Sequence, residues 1–427
     1  MGWLRSLDSG LFAVDMALRA LVERVETGIS FNPATPNMHS DPHPFYKRLR
    51  EFDPIHRSRP ADGWILARHA DILEVLGDRS FSSDERNLRR WKRNARRDRL
   101  AGIPDPYETD RVTMLRSDAP DHTRTRDLVN KAFTPRAVER MRARIEEVVD
   151  ELIVPMQNAQ HVELVSDFAA PLPVVVIAEM LGVPTKDRDR FQYWSDQIVR
   201  TLGESTPEDQ QAAEIGFQRL RDYFEQIINL RRAEPRDDLL SALVAVEEQG
   251  EHLSKGELLG TLVLLLVAGN ETTAKLISNA VVALLRNPDQ LELLQNEPKR
   301  IAGAVDELLR FDGPVQLTSR MVLEDRDFHG RRFQRGQQIV LLLAAGNRDP
   351  EQYDNPDTLD VTRENVRHLA LGHGSHFCLG AQLARLEASL ALEALLTRLP
   401  TLRFGDEPVA WGNNTVLRGP RKLPLRV

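Results

Sequence analysis

The stretch His368-Leu-Ala-Leu-Gly-His-Gly-Ser-His-Phe-Cys378-Leu-Gly-Ala381 decides how the chain is read, because Cys378 is the only cysteine in 427 residues. Gly372, Gly374 and Ser375 make the approach to the thiol a loop, and the apolar-periodic run from Leu379 to Leu399 makes its departure a helix. A thiol at a helix start meets unpaired N–H groups and the positive end of the dipole, which favour the thiolate. One cysteine forms no disulfide within the chain and no multi-cysteine zinc or iron–sulfur site. Two readings remain: a buried structural thiol, the usual role of a free cysteine, or the one protein ligand of a prosthetic group that brings its other ligands.

Around that stretch the composition is that of a globular protein with a large core, 41% hydrophobic and 28% charged. The net charge of -7 speaks against nucleic acid as a partner. No Ser/Gly, Pro-rich or low-complexity tract divides the chain and no repeat is present, so residues 1–427 are expected to form a single domain, with residues 1–40 as an N-terminal extension. In that extension Leu11, Val14, Leu18, Leu21, Val22 and Val25 recur at helical spacing, interrupted by Asp15, Arg19, Glu23 and Arg24. This is an amphipathic helix too charged to span a bilayer, and no signal-peptide apolar region precedes it. The longest apolar run, Leu262 to Gly269, ends at Asn270 and Glu271 and reads as a buried core helix. No transmembrane segment is expected, and the expected location is cytoplasmic.

Helical spacing from Pro44 to Phe52, a strand at Trp64 to Ala67 and a helix over Ala70 to Gly77 open the body of the chain. Phe168 to Gln249 is helical with breaks at Pro171–Pro173, Gly182–Pro184 and Gly203–Pro207, and Gln338 to Ala345 reads as a buried strand. Short strands surround Val416 and Leu417. The pattern predicts a mainly α fold with small β-sheets.

Four segments carry chemistry-bearing residues. Arg86, Arg89, Arg90, Lys92, Arg93, Arg96, Arg97 and Arg99, opposed by Asp98, form either a solvated basic face or a surface for an anionic head group or an acidic carrier. In Asp118-Ala-Pro-Asp-His122-Thr-Arg-Thr-Arg126 an aspartate can cap a helix, and His122 and Arg126, four apart, can hold a carboxylate or stand as an exposed pair. The core helix contains Ala268-Gly269-Asn270-Glu271-Thr272-Thr273, where glycine and threonine weaken a helix. It is either a tolerated kink or a groove for a small ligand, with Thr272 donating and Glu271 feeding protons. Glu307 and Arg310, three apart, are by default a surface pair.

Taken together these segments resemble the cytochrome P450 haem-thiolate monooxygenases, in the soluble bacterial form, over residues 40–427. GHGSHFCLG is similar to the family's cysteine loop, with Leu371 where the family has phenylalanine. The segment from Asp118 to Arg126 fits DxPxHTxxR, Ala268 to Thr273 fits (A/G)Gx(D/E)T(T/S), and Glu307 to Arg310 fits ExxR. The resemblance implies haem b between the long central helix and the helix after Cys378, with Cys378 as the metal ligand whose electron push favours O–O cleavage. By the same resemblance His122, Arg126, Arg320 and His376 hold propionates, and Gly269, Gly372 and Gly380 line the cofactor. Glu271 and Thr272 become the catalytic proton path, and Glu307, Arg310 and Arg363 a buried charge network. Leu264, Ala268, Val315, Gln316, Leu317, Val416 and Leu417 would line the substrate pocket. The segment around 86–99 would cover the substrate entrance, and the helices flanking 203–207 would form a movable lid.

The implied reaction inserts one oxygen atom from O2 into a C–H bond of a lipophilic molecule: a steroid, terpenoid, fatty acid or macrolide. No flavin or iron–sulfur motif is present, so electrons would come from a ferredoxin or flavodoxin-type donor with its reductase. Two other functions fit the same residues: an enzyme of this fold that couples or rearranges its substrate, and a haem-based binder without turnover.

Overall fold

A computed structural model describes residues 18–31, 36–100, 113–199, 206–248 and 253–427. Its organising element is the helix Lys255–Arg286. The helix starts in a capping box: the Ser254 hydroxyl accepts from the Glu257 amide, and the Glu257 carboxylate accepts from the Ser254 amide. Thirty-two residues give a rod about 48 Å long at about 1.5 Å per residue.

Leu258 to Val263 and Thr273 to Leu284 are buried all round, as befits a helix through a core. Helices Pro171–Met180, Arg188–Val199, Ile301–Asp312 and Ala381–Arg398 pack against it. It has the length and hydropathy of a membrane span, but this surround makes it the core helix the sequence suggests. Each leucine, isoleucine or valine sealed in this layer contributes about 1.5–3 kcal/mol.

The largest sheet has five strands in the order Ile55–Ser58, Gly63–Leu66, Gln338–Leu341, Thr318–Val322, Phe81–Ser82. Only the pair Gly63–Leu66 with Gln338–Leu341 is parallel. The strand expected over Gln338 to Ala345 is shorter than its apolar run. Leu342 still donates to Leu66, but Ala344 donates to Gln316, and Leu343–Gly346 closes a helical turn. Every residue of that turn is buried, so the apolar run passes through the change without a signal. At the other end, Leu417 makes a single antiparallel bridge to Val315, and the nearby strands are Ala410–Trp411, Pro420–Lys422 and Pro424–Arg426.

The helix at 18–27 presents its apolar stripe outward, with Leu18, Leu21, Val22 and Val25 between 42% and 79% exposed. Glu23 points inward with no exposure. Its carboxylate accepts from the amides of Phe31 and Arg59 and meets His56 and Ser58, so a buried charge docks this helix. The expected positions Leu11 and Val14, and residues 203–205 of the expected hinge, lie outside the described residues.

Candidate functional site

The loop before Cys378 turns through Gly372 and Gly374, with φ of 73° and 68°. A Cβ on Gly374 would stand 2.6 Å from the Leu76 carbonyl, so only glycine serves there. The Cys378 amide donates to the Leu371 carbonyl at 2.8 Å, and Leu371 packs against the main core. The following helix begins only at Ala381, after Gly380 as its N-cap. This corrects the expectation that the helix start makes Cys378 a ready thiolate. Burial pushes the thiol up, against the opposing effects of a Gly380 amide hydrogen bond and the charges of Arg126 and Arg385.

Beside the thiol, cations converge. The His122 ring lies against that of His376, centroids 4.0 Å apart. Arg126, one turn on from His122, donates to the Phe377 carbonyl. Arg320 reaches in from the sheet, 7% exposed, and its side chain donates to its own neighbour's carbonyl, that of Ser319. Burial pulls Arg320 down to about 10 against the attraction of Asp118. Burial, with Arg320, His122 and Arg126 nearby, pulls His376 down to about 3. The buried Nε2 of His122 has no hydrogen-bond partner.

Asp118 was expected among the possible helix caps. Pro120 occupies the N-cap with no side-chain cap, and Asp118 instead binds the Ser82 hydroxyl and the Ser83 amide. Ser83 in turn bonds His376 Nε2 at 3.0 Å. The carboxylate therefore sits behind the cations rather than between them. Four buried or half-buried cation-capable groups, with no closing anion among the described residues, form a cradle for a dianionic ligand.

In its middle, the central helix opens. Ala268 is exposed and Leu264, Gly269, Glu271 and Thr272 keep accessible surface, although the residues before and after them are sealed. Thr272 Oγ1 donates back to the Ala268 carbonyl at 2.6 Å. Gly269 keeps part of its surface. A Cβ there would meet Ile177 at 3.8 Å, so its bare side faces the helix Pro171–Met180 and Ala268 takes the open face. Glu271 is ion-paired to Lys275 at 2.6 Å.

Of the expected pocket residues, Leu264, Ala268, Val315, Leu317 and Val416 keep accessible surface. Gln316 does not line a pocket: it is 1% exposed, donates to the Gly313 carbonyl at 2.8 Å and accepts from Tyr46. Leu417 is buried in its bridge to Val315, and Leu317 packs into the small core around Tyr46 and Leu49.

The pair Glu307–Arg310 is far from surface decoration, with both side chains fully buried and joined by hydrogen bonds of 2.6 and 2.7 Å. Arg310 also donates to the carbonyls of Asn347, Pro356 and Thr358, while Glu307 accepts from the Asp360 amide. Arg363 Nε approaches Glu307 at 3.3 Å without an aligned hydrogen bond. The neighbouring Asp306 binds both His368 and Arg385, clamping the two flanks of the cysteine loop.

The basic segment is split. Arg86 pairs with Asp84, Arg89 with Asp62, and Arg90 donates to Gln338, whereas Lys92, Arg93 and Arg96 stand exposed on the helix Trp91–Leu100. Ser83, Asp306, Arg385 and Lys275 were missed in the sequence. Each is a single polar residue whose partner lies far away or one turn on, and only the Asp306 neighbour of Glu307 left a local sign.

A lone thiol beside a cradle for two carboxylates is the arrangement of a haem-thiolate oxidoreductase. The family model for Cytochrome P450 matches residues 85–403. Cytochrome P450 107B1 of Saccharopolyspora erythraea is 42% identical over 90% of this chain and 95% of its own. The solved PksS, from the bacillaene polyketide synthase of Bacillus subtilis, superposes with a TM-score of 0.84 at 36% identity, covering 93% of this chain and 99% of that one. P450BioI, solved in complex with acyl carrier protein ligated to hexadec-9Z-enoic acid, matches at 34% identity with a TM-score of 0.83, over 92% of this chain and 100% of its own. The chain belongs to the cytochrome P450 family and is a haem b monooxygenase of the bacterial type.

Proposed function

We propose that this enzyme hydroxylates a lipophilic chain or ring system in the cytoplasm, residues 1–427 acting as one domain, with electrons from a separate ferredoxin or flavodoxin and its reductase. The observation that carries the site assignment is the unclosed cation cradle, with its orphan His122 Nε2, beside the single thiol. Haem b supplies activation of dioxygen at iron when bound. Cys378 Sγ would be its protein ligand, and the Gly380 amide, with Arg126 and Arg385 behind it, works against the burial that opposes the thiolate. His122, Arg126, Arg320 and His376 would hold the propionates, the two guanidiniums supplying the charge and the two imidazoles, both pulled down by burial, supplying hydrogen bonds.

Ala268 leaves space on the open face of the central helix, and Thr272 Oγ1 is the last proton donor before that space. Glu271 resupplies Thr272. Leu264, Val315 and Val416 set an aliphatic wall that excludes water and holds the substrate.

A carrier-bound acyl chain is the favoured substrate form among the fatty acid, macrolide, steroid and terpenoid classes. Lys92, Arg93 and Arg96 offer exposed positive charge suited to an acidic carrier, and P450BioI was solved with such a carrier. Arg89, held by Asp62, has no part in this surface. Titration of the holoenzyme with hexadecenoic acid, free and linked to acyl carrier protein, tests the reading through the haem absorption shift. The linked form is expected to bind at least tenfold tighter, and replacing Lys92, Arg93 and Arg96 by glutamine should remove that advantage alone. Equal affinity for both forms in the native enzyme would sink the carrier reading.

A further inference from the structure

Lys275 lies one turn beyond Glu271 in the central helix and is 8% exposed. A lysine that deep is held by its partners, because an unpaired buried ammonium is costly. It has two. Nζ meets Glu271 Oε1 at 2.6 Å and donates to the Leu417 carbonyl at 3.0 Å. Its stem lies under Gly419, where a Cβ would fall 2.6 Å from Lys275 Cγ and 2.9 Å from its Cβ. Glycine at 419 is therefore the condition for the lysine to reach the carbonyl.

The turn that the lysine touches is a compact unit. Asn414 Oδ1 accepts from the amides of both Val416 and Leu417 at 2.9 Å. Leu417 bridges to Val315, the Gln316 amide donates to Val416 and the Arg418 amide to Pro314. Asn279, one turn beyond Lys275, donates to the Arg418 carbonyl at 3.1 Å. The two segments carrying Val315 and Val416 thus move as one body, fastened to the central helix through Lys275 and Asn279.

We infer that Lys275 is a positioning residue: it ties the Glu271 carboxylate to the pocket-lining turn 414–419, so that what occupies the pocket sets where the acid points. This rests on the assignment of Glu271 and Thr272 as the proton path. A substrate pressing on Val416 shifts the Leu417 carbonyl, the ammonium follows, and the carboxylate is drawn toward or away from Thr272. Lys275 itself touches no reacting atom.

Lys275→Met keeps the stem and removes the charge and the donor. The holoenzyme is compared with Lys275→Met, Glu271→Gln and the double variant by two readouts. The first is hydrogen exchange of the backbone amides at 414–419, which reports the tether and does not depend on turnover. The second is peroxide released per O2 consumed with myristic acid as probe. Lys275→Met should speed exchange at 414–419 at least fivefold, while Glu271→Gln, which leaves the bond to Leu417, should change it less than twofold.

Both single variants should raise the peroxide share several-fold, and the double variant should match Glu271→Gln alone, because the lysine acts through the glutamate. Unchanged exchange in Lys275→Met overturns the tether, and additive peroxide effects overturn the coupling to Glu271. If Glu271→Gln leaves the peroxide share unchanged while exchange still responds to Lys275→Met, the proton path is wrong and Lys275 serves the turn alone, which overturns its positioning role.

Discussion

Glu387 sits inside the helix that follows the cysteine loop, 2% exposed, and its Oε2 has no hydrogen-bond partner. Burial alone pushes its carboxyl up to about 8 from an ordinary 4.5. The sign of the consequence follows from linkage. Between those two values the folded protein keeps the proton and the unfolded chain has lost it, so stability falls as pH rises. The slope is about 1.4 kcal/mol per pH unit, or about 3 kcal/mol between pH 5.5 and 7.5.

Glu387→Gln removes the ionisation and keeps the shape. Urea unfolding of native and variant holoenzyme at a series of pH values isolates the effect, since every other titrating group and the haem are common to both. The native protein should match the variant to within about 1 kcal/mol near pH 5 and fall behind it by about 3 kcal/mol over the next two to three units. A native-to-variant difference that stays constant from pH 5.5 to 7.5 would refute the claim that Glu387 is buried neutral.

Glu307→Gln strands the fully buried Arg310 and should cost about 3–5 kcal/mol in urea unfolding, whereas Glu297→Gln, whose pair with Arg300 is half exposed, should cost less than about 1 kcal/mol. Similar losses in the two variants would contradict the burial argument. His56 is also buried, which works against its charge, but hydrogen bonds to Asp53 and Glu23 outweigh burial and raise it to about 9. Its contribution is full below about pH 6.5 and is lost as pH rises through 9. His56→Gln should therefore lower amide protection at 18–31 at pH 7 and abolish the further loss that the native protein shows as pH rises from about 6.5 to 9; identical protection profiles would refute the docking role. Thr272→Ala should retain haem and divert several-fold more O2 to peroxide, and unchanged peroxide would exclude Thr272 from the proton path.

The core helix was legible because its apolar run is long and its cap, Ser254 with Glu257, is local. The thiol loop was legible for the same reason: glycines, histidine and cysteine stand within nine residues. Where the reading failed, the deciding partner lay elsewhere in the chain. Gln316 looked like a pocket residue until Gly313 and Tyr46 claimed its amide. Glu271 gave no sign of its partner Lys275, which itself reaches the Leu417 carbonyl. The helix dipole argued for a thiolate at Cys378, but the helix starts three residues later and burial is the larger effect. The outward apolar stripe at 18–27 is the plainest case, since periodicity marks a stripe and says nothing of which side a buried Glu23 will claim.

Ligation by the one thiol is the claim on which the rest depends. The most direct measurement is the absorption spectrum of the ferrous carbon monoxide complex in the native enzyme and in Cys378→Ala. The native enzyme should show the red-shifted band of thiolate-ligated haem, and the variant should lose that band while Arg126, His122, Arg320 and His376 still retain part of the haem. Persistence of the red-shifted band without Cys378 would contradict the account.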